Sequence, residues 1–219
     1  MTSFSKKLFF LALFTLLGFI SLQIPFNKLA GSNVSFTLFD FFAPIAGAFL
    51  GPVFGIGSVL AVEVGNMLFK NTPWTTGSII RLFPTLFAVY YFAQIKNKNG
   101  KWILTVPVLS ILAFLAHPEG QKAAQYTLFW IIPLIAYRFR NNLFMKSLGA
   151  TFTAHAVGGA LWIWVFNLKA TVWQSLIPVV IAERLLFAVG IATSFIVIKY
   201  TLSYLASKKL LPKLENALS

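Results

Sequence analysis

The sequence contains no cysteine, and it has only five acidic residues and two histidines in 219 residues. The missing cysteine excludes a disulfide, a thiolate metal site and a cysteine nucleophile. Few acids and histidines leave few ligands for a metal ion. The motifs HExxH, GxSxG and GxxxxGK[ST] are also missing, so metalloprotease, serine hydrolase and P-loop chemistry lack their basic parts. We therefore predict a protein that is not an enzyme and needs no metal or cofactor.

Apolar residues are abundant instead. The chain is 58% hydrophobic with a mean hydropathy of +0.80, and its 24 phenylalanines are spread over the whole length. No polar block is long enough to fold alone, which predicts a multi-pass protein of the plasma membrane surrounded by lipid. The net charge of +13 does not indicate nucleic acid, because the basic residues lie between apolar runs rather than in one patch.

Polar, proline and glycine residues divide the chain into eight apolar segments. Segments 36–50 and 102–116 are short for a full crossing, which needs about 20 residues, so they are spans or re-entrant pieces. We therefore predict an all-α bundle of six to eight membrane segments. The segments are 8–26, 36–50, 52–69, 77–95, 102–116, 123–137, 147–168 and 173–200.

Basic residues predict the orientation, because Lys and Arg accumulate in short cytoplasmic loops. An even number of spans with an internal N-terminus places eleven of them inside and four outside, so both termini are predicted to be cytoplasmic. The inner set is Lys6, Lys7, Lys96, Lys98, Lys101, Arg138, Arg140, Lys146, Lys208, Lys209 and Lys213, and the outer set is Lys28, Lys70, Lys122 and Lys169.

The domain organisation is simple. We expect one transmembrane domain over residues 1–206 and a short basic cytoplasmic tail over residues 207–219. Residues 1–26 resemble a signal peptide in their early lysines and apolar run, but no small-x-small cleavage pattern follows. They are therefore predicted to be a retained first helix.

Leu50, Gly51 and Pro52 interrupt an apolar stretch that is rich in small residues. Proline inside a helix lacks an amide donor and clashes with the carbonyl four residues earlier, so this tripeptide predicts a tight turn between two helices. Gly47 and Gly55 would then let the two arms of the hairpin pack closely.

Six ionisable residues fall inside the apolar segments. A charge at mid-bilayer costs at least about 2.5–3.5 kcal/mol, so each is expected to have a partner or to face a cavity, in a structural role or in a ligand or proton role. Asp40 and Arg81 are expected to pair, whereas the neighbours Glu183 and Arg184 point about 100° apart on a helix and are expected to have different partners. The six are Asp40, Glu63, Arg81, His155, Glu183 and Arg184.

The predicted outer ends of the segments carry a second group of candidates. Aromatic rings at that depth are either interfacial residues or the walls of a pocket, in which amide and charged groups would orient a small, flat, polar molecule. We therefore predict substrate binding at the outer face. The candidates are Asn33, Trp74, His117, Glu119, Trp164, Asn167, Trp173 and Gln174.

The stretch from 36 to 68 resembles the early region of substrate-binding S components of energy-coupling factor (ECF) vitamin transporters. A short span, an LGP-type turn and a glycine-rich next span are matched here by Leu50, Gly51, Pro52 and Gly55. S components are six-helix bundles, and their first helix often carries small residues four apart for docking, whereas Ala12 and Gly18 are six apart here.

This resemblance implies high-affinity capture of a vitamin, precursor or metal-like solute at the outer face. A transmembrane coupling subunit and ATPase subunits would then supply the energy for uptake. The residues themselves leave two alternatives open. One is an intramembrane enzyme that uses Glu63, His155 and Glu183 as an acid/base set, and the other is a structural assembly partner whose buried charges serve packing.

Overall fold

The computed structural model describes residues 3–28, 35–97 and 100–212, and its regular structure is almost entirely helical, as predicted. The first half contains α1 (Ser3–Leu22), β1 (Pro25–Lys28), β2 (Ser35–Thr37), α2 (Phe39–Phe69), α3 (Thr76–Ile80) and α4 (Leu82–Gln94). The second half contains a 3-10 helix (Gly100–Leu104), α5 (Thr105–Leu115), α6 (Pro118–Lys122), a longer 3-10 helix (Ala124–Ile131), α7 (Ile132–Arg138), α8 (Leu143–Phe166) and α9 (Ala170–Ser207).

Four helices in the described part of the chain are long and apolar enough to cross a membrane, which indicates a membrane protein. The predicted segments 102–116 and 123–137 each divide into a 3-10 helix followed by a short α-helix. The four long stretches are Ser5–Leu22, Phe39–Phe69, Leu143–Phe166 and Ala170–Ser207.

The predicted hairpin at Gly51 is confirmed. Gly51 has φ 78° and ψ 174°, a non-helical conformation that divides α2 into two arms. A Cβ atom on Gly55 would lie 2.9 Å from the Cα of Gly47, although eight residues of a straight helix would separate these positions by about 12 Å. The arms therefore fold back on each other, and glycine at both positions permits the contact.

A short β-hairpin between α1 and α2 was not predicted. β1 and β2 pair antiparallel, with Pro25 opposite Thr37 and Asn27 opposite Phe36. The Phe26 and Phe36 rings contact the Phe187 ring of α9, with centroids 6.0 Å and 4.6 Å away. The β-hairpin therefore packs against the middle of the longest helix.

The packing of α8 fixes the depth of its neighbours. A Cβ on Gly149 would collide with the Tyr91 ring, and one on Gly158 would lie 3.5 Å from Pro84, so α4 and α8 run antiparallel. Thr151 contacts Arg184 of α9. These contacts bring the middles of α4, α8 and α9 together.

Two apolar clusters surround this middle region. The first joins α1, α2 and α4, and the second joins α5, the longer 3-10 helix, α8 and the start of α9. Lys146, which the sequence places in a cytoplasmic loop, is instead buried in α8 with its Nζ 4.0 Å from the centre of the Phe92 ring. Ser207, the first residue of the predicted tail, is the last residue of α9, and residues 213–219 lie outside the described part.

Candidate functional site

Most of the predicted outer residues do come together, in the connections α5–α6 and α8–α9. We call residues 116–122 and 164–174 the loop cluster. Within it the rings of His117 and Trp164 meet edge to face, with centroids 5.0 Å apart. Asn167 ends α8 in a left-handed conformation with φ 48°, which reverses the chain into α9.

The polar atoms of the loop cluster are used to hold the loops together. Glu119 accepts hydrogen bonds from the Lys122 ammonium (2.6 Å) and the Ala170 amide (2.8 Å). The Trp164 indole donates to the Ala113 carbonyl (2.8 Å), and the Gln174 amide donates to the Lys122 carbonyl (3.2 Å). These contacts favour the structural interpretation of the predicted outer residues.

His117 and Glu119 also organise α6. The Nδ1 atom of His117 accepts the Glu119 amide at 3.2 Å and so caps the helix. The hydrogen bond from Lys122, and then that from the Ala170 amide, hold the pKa of the Glu119 carboxyl below its usual value. Glu119 is therefore ionised at neutral pH.

Three predicted outer residues differ from the rest. Trp74 is 55% exposed, and Asn33 lies outside the described residues. Trp173 is only 3% exposed and packs its ring against Phe114 and Tyr126, with centroids 5.0 Å from each. Trp173 thus connects the loop cluster to the interior.

The buried ionisable residues form a second group, the polar layer, midway along α8. Asp40 and Arg184 interact electrostatically, as do Asp40 and Glu63. Tyr126 and His155 interact electrostatically with Arg184. The polar layer consists of Asp40, Glu63, Tyr126, Thr151, His155, Glu183 and Arg184.

Arg184 is the centre of the polar layer. It is 9% exposed, and its guanidinium lies 4.3 Å from the centre of the Phe187 ring and 5.6 Å from that of Phe36. It donates one long hydrogen bond to the Thr151 hydroxyl (3.3 Å), and its Nε has no partner. A buried guanidinium normally has more of its five donors satisfied.

The prediction that Glu183 and Arg184 have different partners is wrong. Their charged groups lie 3.7 Å apart, because both side chains are long enough to bend towards each other in a buried setting. The predicted pair of Asp40 with Arg81 is also wrong. Asp40 accepts the Thr37 amide at 2.8 Å, whereas the exposed Arg81 lies over the Trp162 ring at 5.8 Å.

His155 is held by two aromatic partners from the longer 3-10 helix. The Trp130 indole donates to Nδ1 (3.1 Å), so the neutral ring carries its proton on Nε2 and donates it to the Tyr126 oxygen (2.9 Å). Among the described residues, the phenol proton of Tyr126 then has no acceptor. Tyr126 lies at the edge of the polar layer, where its phenol interacts electrostatically with Arg184 and Glu183.

The structure does not join the three residues of the predicted acid/base set. The hydrogen-bonding neighbour of Glu63 is the Thr85 hydroxyl, and that of Glu183 is Arg184. His155 is hydrogen-bonded to Tyr126 and Trp130 instead. Across the ranges that the structure describes, no three His, Asp or Glu side chains are grouped as metal ligands. The geometry gives no support to the enzyme alternative.

Three buried polar atoms in the described part have no hydrogen-bond partner: Glu63 Oε2, Trp162 Nε1 and Arg184 Nε. Thr151, His155, Gly158 and Trp162 lie on one face of α8, and that face contacts α4, α9 and the longer 3-10 helix. An unsatisfied buried polar atom costs about 1–3 kcal/mol, so Arg184 Nε, whose side chain contacts Thr151 of this face, is the candidate contact for a polar ligand.

Sequence reasoning missed the residues that surround Arg184. Phe36, Phe187, Tyr126 and Trp130 look like ordinary apolar residues in their segments. The spacing of Tyr126 and Trp130 was the one available signal, since hydrogen-bonding aromatics four apart are suited to hold one shared partner.

Comparisons with known proteins give little beyond this geometry. No protein-family model matches the chain, and no solved structure matches it. An uncharacterized protein of Methanocaldococcus jannaschii is similar, with 27% identity over 203 positions, which cover 84% of this chain and 68% of that protein.

Proposed function

We propose that this membrane protein binds a small, flat solute in the polar layer and takes part in its uptake. The solute presents an anionic or strongly polar oxygen group to Arg184. The observation that carries the proposal is the buried guanidinium of Arg184, whose Nε has no partner and which lies over the rings of Phe36 and Phe187.

The unsatisfied donors of Arg184 favour a ligand with an anionic oxygen group, which would form charge-assisted hydrogen bonds with them. Arg184 makes only a 3.3 Å contact to Thr151 and a 3.7 Å contact to Glu183. A carboxylate oxygen at about 2.8 Å would satisfy more of its donors, and such bonds are about twice as strong as neutral ones. The phenol proton of Tyr126 is a second donor for the same oxygen group.

Aromatic rings on two sides support a flat ligand. On the side of the β-hairpin, the Phe26 and Phe36 rings both contact the Phe187 ring. Tyr126, Trp130 and Trp173 pack together on the side of α8. A planar solute between such walls gains stacking energy, while the few polar groups fix its orientation.

The role in uptake, unlike solute binding itself, rests on the resemblance to ECF S components. In this proposal the two arms of α2 and the shorter helices complete six to eight membrane segments in the plasma membrane, with both termini cytoplasmic. A coupling subunit and ATPase subunits supply the energy. An apolar groove of about 510 Å³ along α1, lined by Leu8, Ala12 and Leu16 among others, is available to a neighbouring subunit.

Mass spectrometry of gently purified protein tests the proposal. We expect wild-type protein to release one flat, oxygen-bearing small molecule on denaturation, and Arg184→Gln to lose it at least about tenfold. Arg138→Gln is the matched control, because Arg138 is exposed at the end of α7. The same preparation from native membranes, analysed for peptides, should contain ATPase subunits.

Two results would contradict the proposal. One is wild-type protein that carries no small molecule in any of several mild detergents. The other is a correctly folded Arg184→Gln variant that carries as much solute as Arg138→Gln does. Absence of ATPase subunits would remove the uptake mechanism and leave solute binding intact.

A further inference from the structure

The charges of the polar layer do not balance. Asp40, Glu63 and Glu183 are acids, whereas Arg184 is the one cation of the layer as defined. His155 adds no charge in the observed arrangement, because its Nδ1 accepts a hydrogen bond from Trp130. Ionised carboxylates at membrane depth are costly unless they are paired or protonated. Asp40 accepts the Thr37 amide and Glu183 pairs with Arg184, so Glu63 is the carboxyl group of the layer that keeps an open acceptor.

A hydrogen-bond donor is missing at Glu63. Its Oε2 atom is buried and has no hydrogen-bond partner, while Thr85 is the hydrogen-bonding neighbour of the carboxyl group. A Cβ atom on Gly18 would meet both Phe39 and Val62, so the next residues, Asp40 and Glu63, lie at the same level of the two arms of α2. Asp40 interacts electrostatically with both Glu63 and Arg184 and connects this atom to the arginine. The missing donor at Glu63 and the free guanidinium donor therefore belong to one interacting set.

Two other basic side chains, Arg81 and Lys146, contact aromatic rings. Arg81 is exposed and lies over the Trp162 ring. Lys146 lies against the rings of Phe92 and Phe195, four to six ångströms from their centres. Among the described residues neither side chain is placed to donate to Glu63 Oε2, so this atom is open to a donor from a bound molecule.

We propose that the Asp40–Glu63 side of the polar layer accepts N–H groups from the solute whose oxygen group binds Arg184. The ligand class is a flat acid that also carries an amine or another N–H donor, a molecule with opposite polarity at its two ends. This inference rests on the proposed function and specifies the chemical class of its solute.

Three matched probes test this ligand class in detergent-purified protein: para-aminomethylbenzoate, para-methylbenzoate and para-methylbenzylamine. The first carries both groups, the second only the carboxylate and the third only the amine. We expect the two-group probe to bind wild-type protein about tenfold more tightly than the carboxylate probe, and the amine probe to bind most weakly. Titration calorimetry and the shift in Tm are the measurements.

Variants then locate the preference. Glu63→Gln has nearly the same shape and should reduce the tenfold preference to about onefold while binding of the carboxylate probe stays unchanged. Glu119→Gln, in the loop cluster, is the matched control and should keep the preference. If Glu63→Gln fails to fold, the ranking of the three probes on wild-type protein still decides the question.

Several outcomes would overturn the inference. They are equal binding of the two acids, a preference that survives Glu63→Gln, and no binding of any probe. Stabilisation by Na⁺ in place of choline, as large as that from the two-group probe, would assign the acidic side to a metal ion instead. None of these results removes a co-purified solute that depends on Arg184, so failure of this inference is distinguishable from failure of the proposed function.

Discussion

The loop cluster and the polar layer are built from the same kinds of side chain. Each combines aromatic, histidine and glutamate side chains, and each gathers residues from several connections or helices. In the loop cluster Glu119 accepts two hydrogen bonds and the indole of Trp164 donates one. In the polar layer Glu63 Oε2 and Arg184 Nε have no partner.

Composition alone therefore does not identify a binding site. Aromatic rings beside amides and carboxylates were the basis for predicting a site at the outer ends. The polar groups of His117 and Glu119 instead cap α6 and join the two loops through hydrogen bonds. The polar atoms that remain available lie deeper, where the surrounding dielectric is low and an unmet hydrogen bond is expensive.

The largest effect that separates the two regions is expected from Gly159→Ala. A Cβ atom there would collide with the Trp130 ring, which holds Nδ1 of His155. We expect a loss of about 1–3 kcal/mol in stability and weaker solute binding, because the ring has to move. Thermal unfolding and ligand titration are the measurements.

Gly57→Ala is the matched control for this substitution. It places the same methyl group on α2, where nothing lies within 4 Å. Its stability should be unchanged or slightly higher, as alanine favours helix. Equal losses in the two variants would show that the packing around Trp130 and His155 is not specific.

How far the sequence predicts this fold depends on the range of each interaction. The reversal at Gly51 follows from a local rule about proline and glycine, and it was predicted correctly. The apolar segments and their buried charges also follow from local composition. Their partners do not, since Arg184 meets Thr151 from 33 residues away and Trp130 meets His155 from 25 residues away.

The β-hairpin shows the same limit. Residues 25–28 and 35–37 carry no alternating pattern long enough to predict strands, and their pairing is stabilised by Phe26 and Phe36 against Phe187 of α9. A single sequence does not reveal which phenylalanine of α9 faces them. The contact of Phe36 and Phe187 with Arg184 therefore could not be predicted from the sequence.

A smaller effect is expected from Trp164→Phe in the loop cluster. The substitution keeps a ring against His117 but removes the indole donor to the Ala113 carbonyl. We expect a loss of about 0.5–1 kcal/mol in stability, because the bond is partly exposed to solvent, and no change in solute binding. Trp102→Phe is the control, since Trp102 is 76% exposed. A loss of solute from Trp164→Phe would return the binding site to the outer ends.

The smallest effect is expected from Glu119→Gln, and its sign depends on pH. The Lys122 and Ala170 contacts hold the pKa of Glu119 in the folded protein below its usual value of 4.5. The carboxylate therefore stabilises the fold above pH 4.5, and that contribution disappears as the pH falls through the lowered pKa. The Tm of wild type should exceed that of Glu119→Gln slightly at neutral pH, and the two Tm values should converge in acid.

Salt should reduce this difference in Tm, because the pair with Lys122 is exposed to solvent. The difference in Tm between wild type and Lys122→Gln should be smaller than that for Glu119→Gln, because the Ala170 amide still binds the carboxylate. A difference in Tm that does not change with pH would mean that the glutamine acts through its shape rather than through the lost charge. The two regions would then share side-chain types but not a role for charge.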